Sequence, residues 1–493
     1  MSENVLKKLL KQVSVYFSSS IIVALCGFIS FPIWTRIFSE AEYGKMSIAF
    51  VTLGIIVILS KFGIQHASIR FYSEFKENKR NLDITYYYTT SFMGVTIISL
   101  IMALLFLLII EFFPDIQYDT DFKNILRTLS LLIIFEPLNN IFLSFLRAEQ
   151  NVKFYSIIRI TRRYLKLLAC LFFVLILNEG LLGFFMGCML TDLTCALFLL
   201  YIFLREQKIK FKCISISFLN ESIAYGLPLI GLELSALLLV SGDRYILQYF
   251  LGSSAVGIYS VSTNFIIYAI DFFSEPLRLA VLPLVMSMWD KNGMQETQKF
   301  LLNVFKLYFI IGIPIIFSFS FLGRDLLVFV ASSKFEEGAI ILPLLVSGYV
   351  IHKANFLYGA GLYLKKKTVI LSVIILCSAI LNIILNMILI PNFGLKGAAI
   401  STLFSFLCET VLLIRISFRS VRFKIPLYTI LKYAAISGVM VVVMLSINNL
   451  GTWQTVIRVI AGFLTYVGGI LIFESEVREK AGLLLGKVLH NHS

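Results

Sequence analysis

Five polar side chains lie at helical spacing within one apolar segment of the sequence, residues 255–282. Separations of 4, 3, 4 and 3 residues place them on one face of an α-helix: Asn264, Tyr268, Asp271, Glu275 and Arg278. Ionisable groups are costly inside a long apolar segment, so they mark candidate functional sites. The stripe predicts a polar cavity in which Asn264, Tyr268 and Arg278 bind substrate, while Asp271 and Glu275 couple to an ion. A polar seam between packed helices is the alternative that the spacing leaves open.

A second candidate is a basic helix face that begins at Arg159. The apolar run 165–177 is too short to cross a bilayer alone, so its helix must include the preceding basic residues. These share one face at i, i+3, i+4 and i+7: Arg159, Arg162, Arg163 and Lys166. Because arginine binds phosphate through paired donors, we predict that Arg159 and Arg163 bind substrate at an entrance for an anionic compound. The alternative is that these side chains extend to lipid headgroups.

Isolated charges in or beside other apolar segments give further predictions. Lys61 and Lys353 lie within such segments, and Arg36 and Arg244 lie at segment ends. We predict that all four bind substrate. Glu233 has no cation beside it in the sequence, and we predict that it couples to an ion. Packing between helices and anchoring at the membrane interface are the alternatives.

The sequence contains no pattern typical of catalysis, nucleotide hydrolysis or metal binding. Residues 482–488 resemble G-x-x-x-x-G-K-[ST] but are one spacer short and lack the hydroxyl, and no H-E-x-x-H occurs. We therefore expect no catalytic residue, no metal site and no cofactor. Any coupling is expected to use an H⁺ or Na⁺ gradient, or the supply and removal of substrate.

The elements that must position these residues are membrane-spanning helices. The chain is 58% hydrophobic and 15% charged, whereas soluble domains carry about 25% charged residues. A spanning helix needs about 20 mainly apolar residues. Fourteen stretches qualify: 14–38, 45–64, 86–110, 124–146, 157–177, 181–204, 221–242, 255–282, 301–321, 338–362, 369–390, 394–416, 428–447 and 453–473. The sequence predicts an all-α integral membrane protein with about 14 transmembrane helices.

The net charge of +14 has an uneven distribution between the two sides of the predicted membrane. The polar segments on the side of the N-terminus hold 29 of the 43 Lys and Arg, and those on the other side hold seven. Basic residues in short loops resist translocation, so both termini of this multi-pass membrane protein are predicted to be cytoplasmic. The excess of basic residues therefore indicates the orientation of the protein in the membrane and its contact with membrane lipids, and it does not indicate nucleic-acid binding.

Three landmarks recur in order about 213 residues apart, which indicates a duplicated unit. Residues 178–183 return as 392–397, residues 38–47 as 251–260, and Lys153 as Lys366. We predict two parallel six-helix repeats that form two lobes around a central cavity, followed by two extra C-terminal helices. The predicted boundaries are 1–204 for the first lobe, 205–220 for a cytoplasmic linker, 221–416 for the second lobe and 417–493 for the remainder.

Several of these motifs resemble a known family, the polysaccharide flippases of the multidrug/oligosaccharidyl-lipid/polysaccharide exporter superfamily. They are Tyr43-Gly44, Asp243-Arg244-Tyr245-Ile246 through Val256-Gly257-Ile258-Tyr259-Ser260, and Asn392-x-Gly394-x-x-Gly397-Ala398-Ala399. The resemblance implies a flippase, not an enzyme. Its substrate would be an undecaprenyl-diphosphate-linked oligosaccharide, such as an O-antigen repeat unit of lipopolysaccharide or a capsule repeat unit. It would move this substrate from the cytoplasmic to the outer leaflet of the bacterial cytoplasmic (inner) membrane by alternating access. The implied partners are the polysaccharide polymerase and the chain-length machinery, and we expect a monomer.

Two other functions remain open at this point. A cation-coupled multidrug antiporter of the same superfamily would be expected to carry a carboxylate in its first span, and residues 14–38 contain none. A membrane glycosyltransferase or polymerase would need a sizeable outer loop for its active site. The longest outer loops predicted here, 111–123 and 322–337, are small for that purpose.

Overall fold

The computed structural model describes residues 3–77, 79–80, 82–112, 120–447 and 453–474. Within these ranges the secondary structure is helical throughout, without strands. The first half contains α1 (Glu3–Ile37), α2 (Glu40–Lys61), α3 (Ile64–Lys76), α4 (Ile84–Phe112), α5 (Thr120–Ala148), α6 (Val152–Leu171) and α7 (Gly180–Arg205). A π-helical turn, Phe172–Ile176, extends α6. The predicted all-α class is confirmed.

The second half begins with α8 (Ile216–Ser241) and the long α9 (Asp243–Phe321). After these come α10 (Gly323–Val330), a 3-10 helix (Ser333–Ile341), α11 (Leu342–Lys353), α12 (Asn355–Tyr358), α13 (Ala360–Leu364), α14 (Thr368–Ser417), α15 (Leu427–Ser446) and α16 (Gln454–Phe473). The predicted outer loop 322–337 thus contains helix α10 and part of the 3-10 helix. The predicted tail beyond residue 474 lies outside the described residues.

Glycines divide the longest helices into separate membrane-spanning segments. The backbone leaves helical values at Gly252 and Gly293 in α9, where φ is 80° and 75°, and at Gly394 in α14, where φ is 57°. Glycine alone adopts such angles without steric cost. Ten stretches of the described residues are long and apolar enough to cross a membrane. Dividing them at these breaks, and adding α6 with its π-helical turn, gives fourteen spanning segments, in agreement with the predicted number.

The segment 283–300, predicted to be a polar connection, is helical on both sides of Gly293. The middle segment of α9, residues 253–292, is therefore about 60 Å long at 1.5 Å per residue. This length exceeds a hydrocarbon core of about 30 Å. Its charged end can remain helical because it extends beyond the bilayer.

The duplicated motif forms a reciprocal contact between α2 and the middle segment of α9. Gly44 packs against the backbone of Ser253, and Gly257 packs against the backbone of Glu40. Ser260, 213 residues after Ser47, donates a hydrogen bond to it at 2.8 Å. Reciprocal contacts of this kind are what a two-fold axis between repeated units produces. The lobe boundaries given above stay a prediction.

The molecule is closed at the face where α1 ends and α2 begins, which is the predicted outer face. Arg36 donates to the backbone carbonyls of Phe329 and Val330. Lys334 donates in return to the carbonyl of Arg36, and the rings of Tyr43 and Phe335 lie 5.8 Å apart. Residues of both halves of the chain therefore form this closure.

Candidate functional site

A cavity of about 460 Å³ lies on the inner side of this closure, between α1, α2, α5, α6, α7, α8 and α9. Four residues that the sequence analysis predicted to bind substrate line it: Arg163, Arg244, Asn264 and Tyr268. Aromatic rings form much of the remaining wall: Phe31, Trp34, Tyr43, Phe50 and Phe184. The charged side chains of the lining are Arg163, Lys166, Arg244 and one carboxylate, Glu136. A cavity with more cations than carboxylates and with aromatic faces suits a ligand that carries both anionic groups and sugar rings.

The basic face of α6 divides into two parts with different partners. Arg162 and Lys166 each lie 2.8 Å from a carboxylate oxygen of Asp192 on α7, whose side chain is fully buried. Two fixed cations thus neutralise one buried carboxylate inside the first half of the chain. Sequence reasoning missed Asp192, although a single carboxylate within the apolar stretch 181–204 was a usable signal.

Arg163, on the same helix, contacts the cavity instead. Its Nη2 atom approaches Gly27 of α1, its guanidinium interacts with the Tyr268 hydroxyl, and its backbone carbonyl accepts a weak bond from Cys26. Among the described residues no carboxylate forms an ion pair with Arg163. Arg159, one turn earlier, donates to Ser20 of α1 at 3.2 Å and does not line the cavity.

Arg244 is a buried cation at the outer end of the cavity. Its Nε donates to Ser47 at 3.0 Å, and its Nη1 donates to the carbonyl of Val240 at 3.0 Å and to Asp243 at 3.1 Å. Nearby, Asn264 donates to the Tyr43 hydroxyl at 3.2 Å. These bonds hold Arg244 in one orientation. Arg36 lies outside the cavity, at the closure described above.

The predicted stripe on α9 does not face the cavity along its whole length, which corrects the sequence interpretation. Asn264 and Tyr268 line the cavity, but the three charged members are absent from its described lining. Asp271 pairs with Lys353 of α11 at 2.7 Å, and Glu275 pairs with Arg278 at 2.6 Å. Each carboxylate therefore has its own cation. The stripe divides because Asp271 contacts α11, a helix of its own half of the chain, and not the cavity.

Lys61 and Glu233 form a third polar cluster, between the two halves of the chain. Lys61 lies 2.9 Å and His66 2.8 Å from the two carboxylate oxygens of Glu233. The backbones of Gly63 and Gly226 touch beside this cluster. Glu233 thus has a partner across helices, as one of the two sequence alternatives anticipated. Sequence reasoning missed His66 because the helix breaks at Phe62 and Gly63, and the chain changes direction there before it reaches His66.

We expect Lys61→Met and Glu233→Gln each to lower the unfolding midpoint of the purified protein. Each change removes one partner of a largely buried ion pair, which typically costs about 3 kcal/mol. The double variant should be less destabilised than the sum of the two single variants, because it leaves no unpaired charge. Thermal unfolding in detergent tests this. Strictly additive destabilisation would show that the pair contributes nothing to the contact between α2 and α8.

The family models and curated relatives point to one group of proteins. Residues 9–289 match the family described as polysaccharide biosynthesis protein. The chain is 26% identical over 249 residues to Agl15, a probable low-salt glycan biosynthesis flippase of Haloferax volcanii, covering 48% of this chain and 51% of that protein. It is 28% identical over 256 residues to AglR, a probable flippase of the same organism, covering 50% and 53%. The chain spans about half the length of these curated relatives.

The fold is also found in a solved structure. The lipid II flippase MurJ, in its inward closed conformation, aligns with a TM-score of 0.78 over 94% of this chain and 99% of that chain. The sequence identity is 16%, so the likeness shows a common fold and nothing finer.

Proposed function

The chain belongs to the polysaccharide biosynthesis protein family, and from this membership we propose that it is a flippase for an undecaprenyl-diphosphate-linked oligosaccharide. The transported unit is an O-antigen or capsule repeat unit, and it moves from the cytoplasmic to the outer leaflet of the inner membrane. The observation that carries this proposal is the cavity: Arg163 offers a cation without a carboxylate partner among the described residues, next to an aromatic wall.

The cavity matches the two hydrophilic parts of this substrate. The guanidinium of Arg163 binds the diphosphate, because it is always charged and donates paired hydrogen bonds. Sugar rings pack on the aromatic wall, where Trp34 and Phe184 meet edge to face at 5.0 Å. Arg244 is held at the outer end of the cavity by Asp243 and Ser47, so it offers the substrate fixed hydrogen-bond donors during transfer, while its charge is matched by Asp243.

The polyprenyl tail requires a different surface. An apolar groove of about 410 Å³ lies between the last segment of α9 and the helices α15 and α16. Pro314, Met440, Phe463 and Tyr466 are among the residues that line it. We propose that the tail remains in lipid along this groove while the diphosphate and sugars occupy the cavity.

The closed outer face supports alternating access. The contacts of Arg36 and Lys334, and the packing of Gly44 and Gly257, join the two halves at this face. Transfer requires these contacts to open while contacts at the inner face form. The residues predicted to couple this change to H⁺ or Na⁺ are Asp271, Glu275 and Glu233. Of their ion pairs, that of Glu233 with Lys61 joins the two halves and would be separated by such a change.

A parallel pair of transport assays tests the proposal against the antiporter alternative. Proteoliposomes receive either a labelled undecaprenyl-diphosphate oligosaccharide or a cationic dye, each with and without imposed H⁺ and Na⁺ gradients. We expect the lipid-linked oligosaccharide to appear in the opposite leaflet faster than in protein-free vesicles, without extrusion of the dye. Dye extrusion without movement of the lipid would assign the antiporter function instead.

A further inference from the structure

Glu409 differs in the nature of its partner from five other carboxylates inside the described helices. Asp192, Glu233, Asp243, Asp271 and Glu275 each form an ion pair with a lysine or an arginine. Glu409 is buried, with 3% of its side chain exposed, and its Oε2 lies 2.7 Å from Nδ1 of His352. Among the described residues, His352 is its ion-pairing partner. A buried carboxylate is thus paired with an imidazole, which can gain or lose a proton, and not with a lysine or an arginine.

The surroundings fix this pair in one geometry. The His352 ring, at the end of α11, stacks on Phe406 with ring centres 4.2 Å apart and planes 15° apart. Beside it, Thr410 donates to Asn355 at 2.8 Å. Glu409 lies eight residues before the end of α14, or about 12 Å along the helix axis. The pair therefore lies inside the predicted membrane, in the half nearer the inner face.

The first half of the chain contains a comparable buried carboxylate whose charge is fixed, Asp192, one helical turn away from the position that the repeat offset gives for Glu409. Asn139, 213 residues before His352, donates to the backbone carbonyl of Asp192 on α7. Asp192 is neutralised by Arg162 and Lys166 of α6. In the second half, the helix at the position of α6 is the first segment of α14, residues 368–393, which contains no charged residue or histidine. The two fixed cations of the first half therefore have no equivalent beside Glu409.

We propose that His352 and Glu409 form a proton-binding site that couples the transport cycle to a proton gradient, an inference that rests on the proposed flippase function. The pair shares one proton, either as imidazolium and carboxylate or as two neutral groups. Uptake of a second proton leaves an imidazolium beside a neutral carboxyl, with a net charge of +1. A change of charge inside the bilayer favours conformations that expose the site to water, so proton uptake and conformation are linked.

The other charged groups around His352 and Glu409 already have partners, so we assign the proton uptake to this pair. On α11, Lys353 pairs with Asp271 of α9. Also on α9, Arg278 pairs with Glu275 and interacts with Tyr363 of α13, which interacts in turn with Glu409. On α14, the next charged side chain is the exposed Arg415. The cations of α9 and α11 are thus already matched by carboxylates.

The test is a pH titration of the purified full chain in lipid nanodiscs, with the proton as the ligand and the infrared band of protonated carboxyl groups as the signal. The wild type is expected to show a carboxyl band with a titration midpoint between about pH 5 and 8, distinct from the absorption that ordinary Asp and Glu carboxyls gain as the pH falls toward 4. Glu409→Gln should remove this band, and His352→Gln should shift its midpoint because the two groups titrate together. Glu149→Gln, at a largely buried carboxylate paired with Lys208, is the matched control and should leave it in place.

A pH-dependent band that persists in Glu409→Gln, or the absence of such a band in the wild type, overturns the proposal. If Glu409→Gln does not elute as a folded protein, His352→Gln decides alone, and an unshifted midpoint overturns the proposal. The titration contains no lipid-linked sugar, so its failure rejects the proton site and not the flippase function. A wild type that fails to move the lipid would reject the flippase function, whatever the titration shows.

Discussion

Replacement of Arg163 by alanine is expected to reduce oligosaccharide transfer by about 10- to 100-fold, the effect of losing a charged hydrogen bond worth about 1.5–3 kcal/mol. Arg163 lines the cavity, and no carboxylate of the described residues pairs with it. Its charge is therefore available to the diphosphate. By contrast, Lys166 lines the same cavity but is engaged with Asp192. The initial rate of lipid movement in proteoliposomes measures the effect.

Two further variants separate charge from structure at this position. Arg163→Lys keeps the charge and loses the paired donors, so it should fall between the wild type and alanine. Arg159→Ala removes a nearby arginine of the same helix that donates to Ser20 outside the cavity, and it should retain most of the activity. Equal losses in Arg159→Ala and Arg163→Ala would show that the whole basic face acts through the lipid headgroups, and that the cavity does not select Arg163.

Replacement of Gly257 by alanine is expected to abolish transfer by preventing closure of the outer face. A Cβ atom at this position would overlap the backbone carbonyl of Glu40, and one at Gly44 would overlap that of Ser253. Backbone atoms cannot move aside as a side chain can, so α2 and α9 must separate. Overpacking of this kind costs about 1–3 kcal/mol or more. The closed state loses that stability, and the outward-open state does not.

A cysteine in the cavity reports whether the face has opened. In a Met46→Cys background whose seven native cysteines are replaced by serine or alanine, an impermeant maleimide added from the outer side should label Gly257→Ala and Gly44→Ala much faster than the parent protein, since Met46 lines the cavity. Gly438→Ala is the matched control, because a Cβ atom there meets nothing within 4 Å. Labelling of Gly257→Ala at the parent rate, with transfer intact, would remove the reciprocal glycine contact from the mechanism.

Much of the architecture could be predicted from the sequence, because the length and the apolar character of a segment are enough to show whether it can form a membrane-spanning helix. The all-α class, the number of spanning segments and the family from the motifs are confirmed. The helical course of residues 283–300 was not predicted, since their polar composition fits both a loop and a helix that extends beyond the bilayer.

The partners of the intramembrane charges could not be predicted, because each pair joins helices that are far apart in the sequence. Helical spacing placed Asp271 and Glu275 on one face, but it could not show that Lys353 comes from α11 to meet Asp271. The same limit hid the pairing of Glu409 with His352, 57 residues away. The roles assigned to the cavity residues stay predictions until they are measured.

The most direct measurement of the central claim is the fluorescence of Trp34 on addition of the undecaprenyl-diphosphate oligosaccharide. Trp34 lines the cavity, whereas Trp289 packs beneath Lys365 and Trp453 is exposed, so a Trp289→Phe, Trp453→Phe variant reports from the cavity alone. We predict a saturable change in emission that undecaprenyl phosphate without sugar does not reproduce and that Arg163→Ala weakens. Unchanged Trp34 emission in a variant that still transfers the lipid would place the substrate outside this cavity and contradict the account.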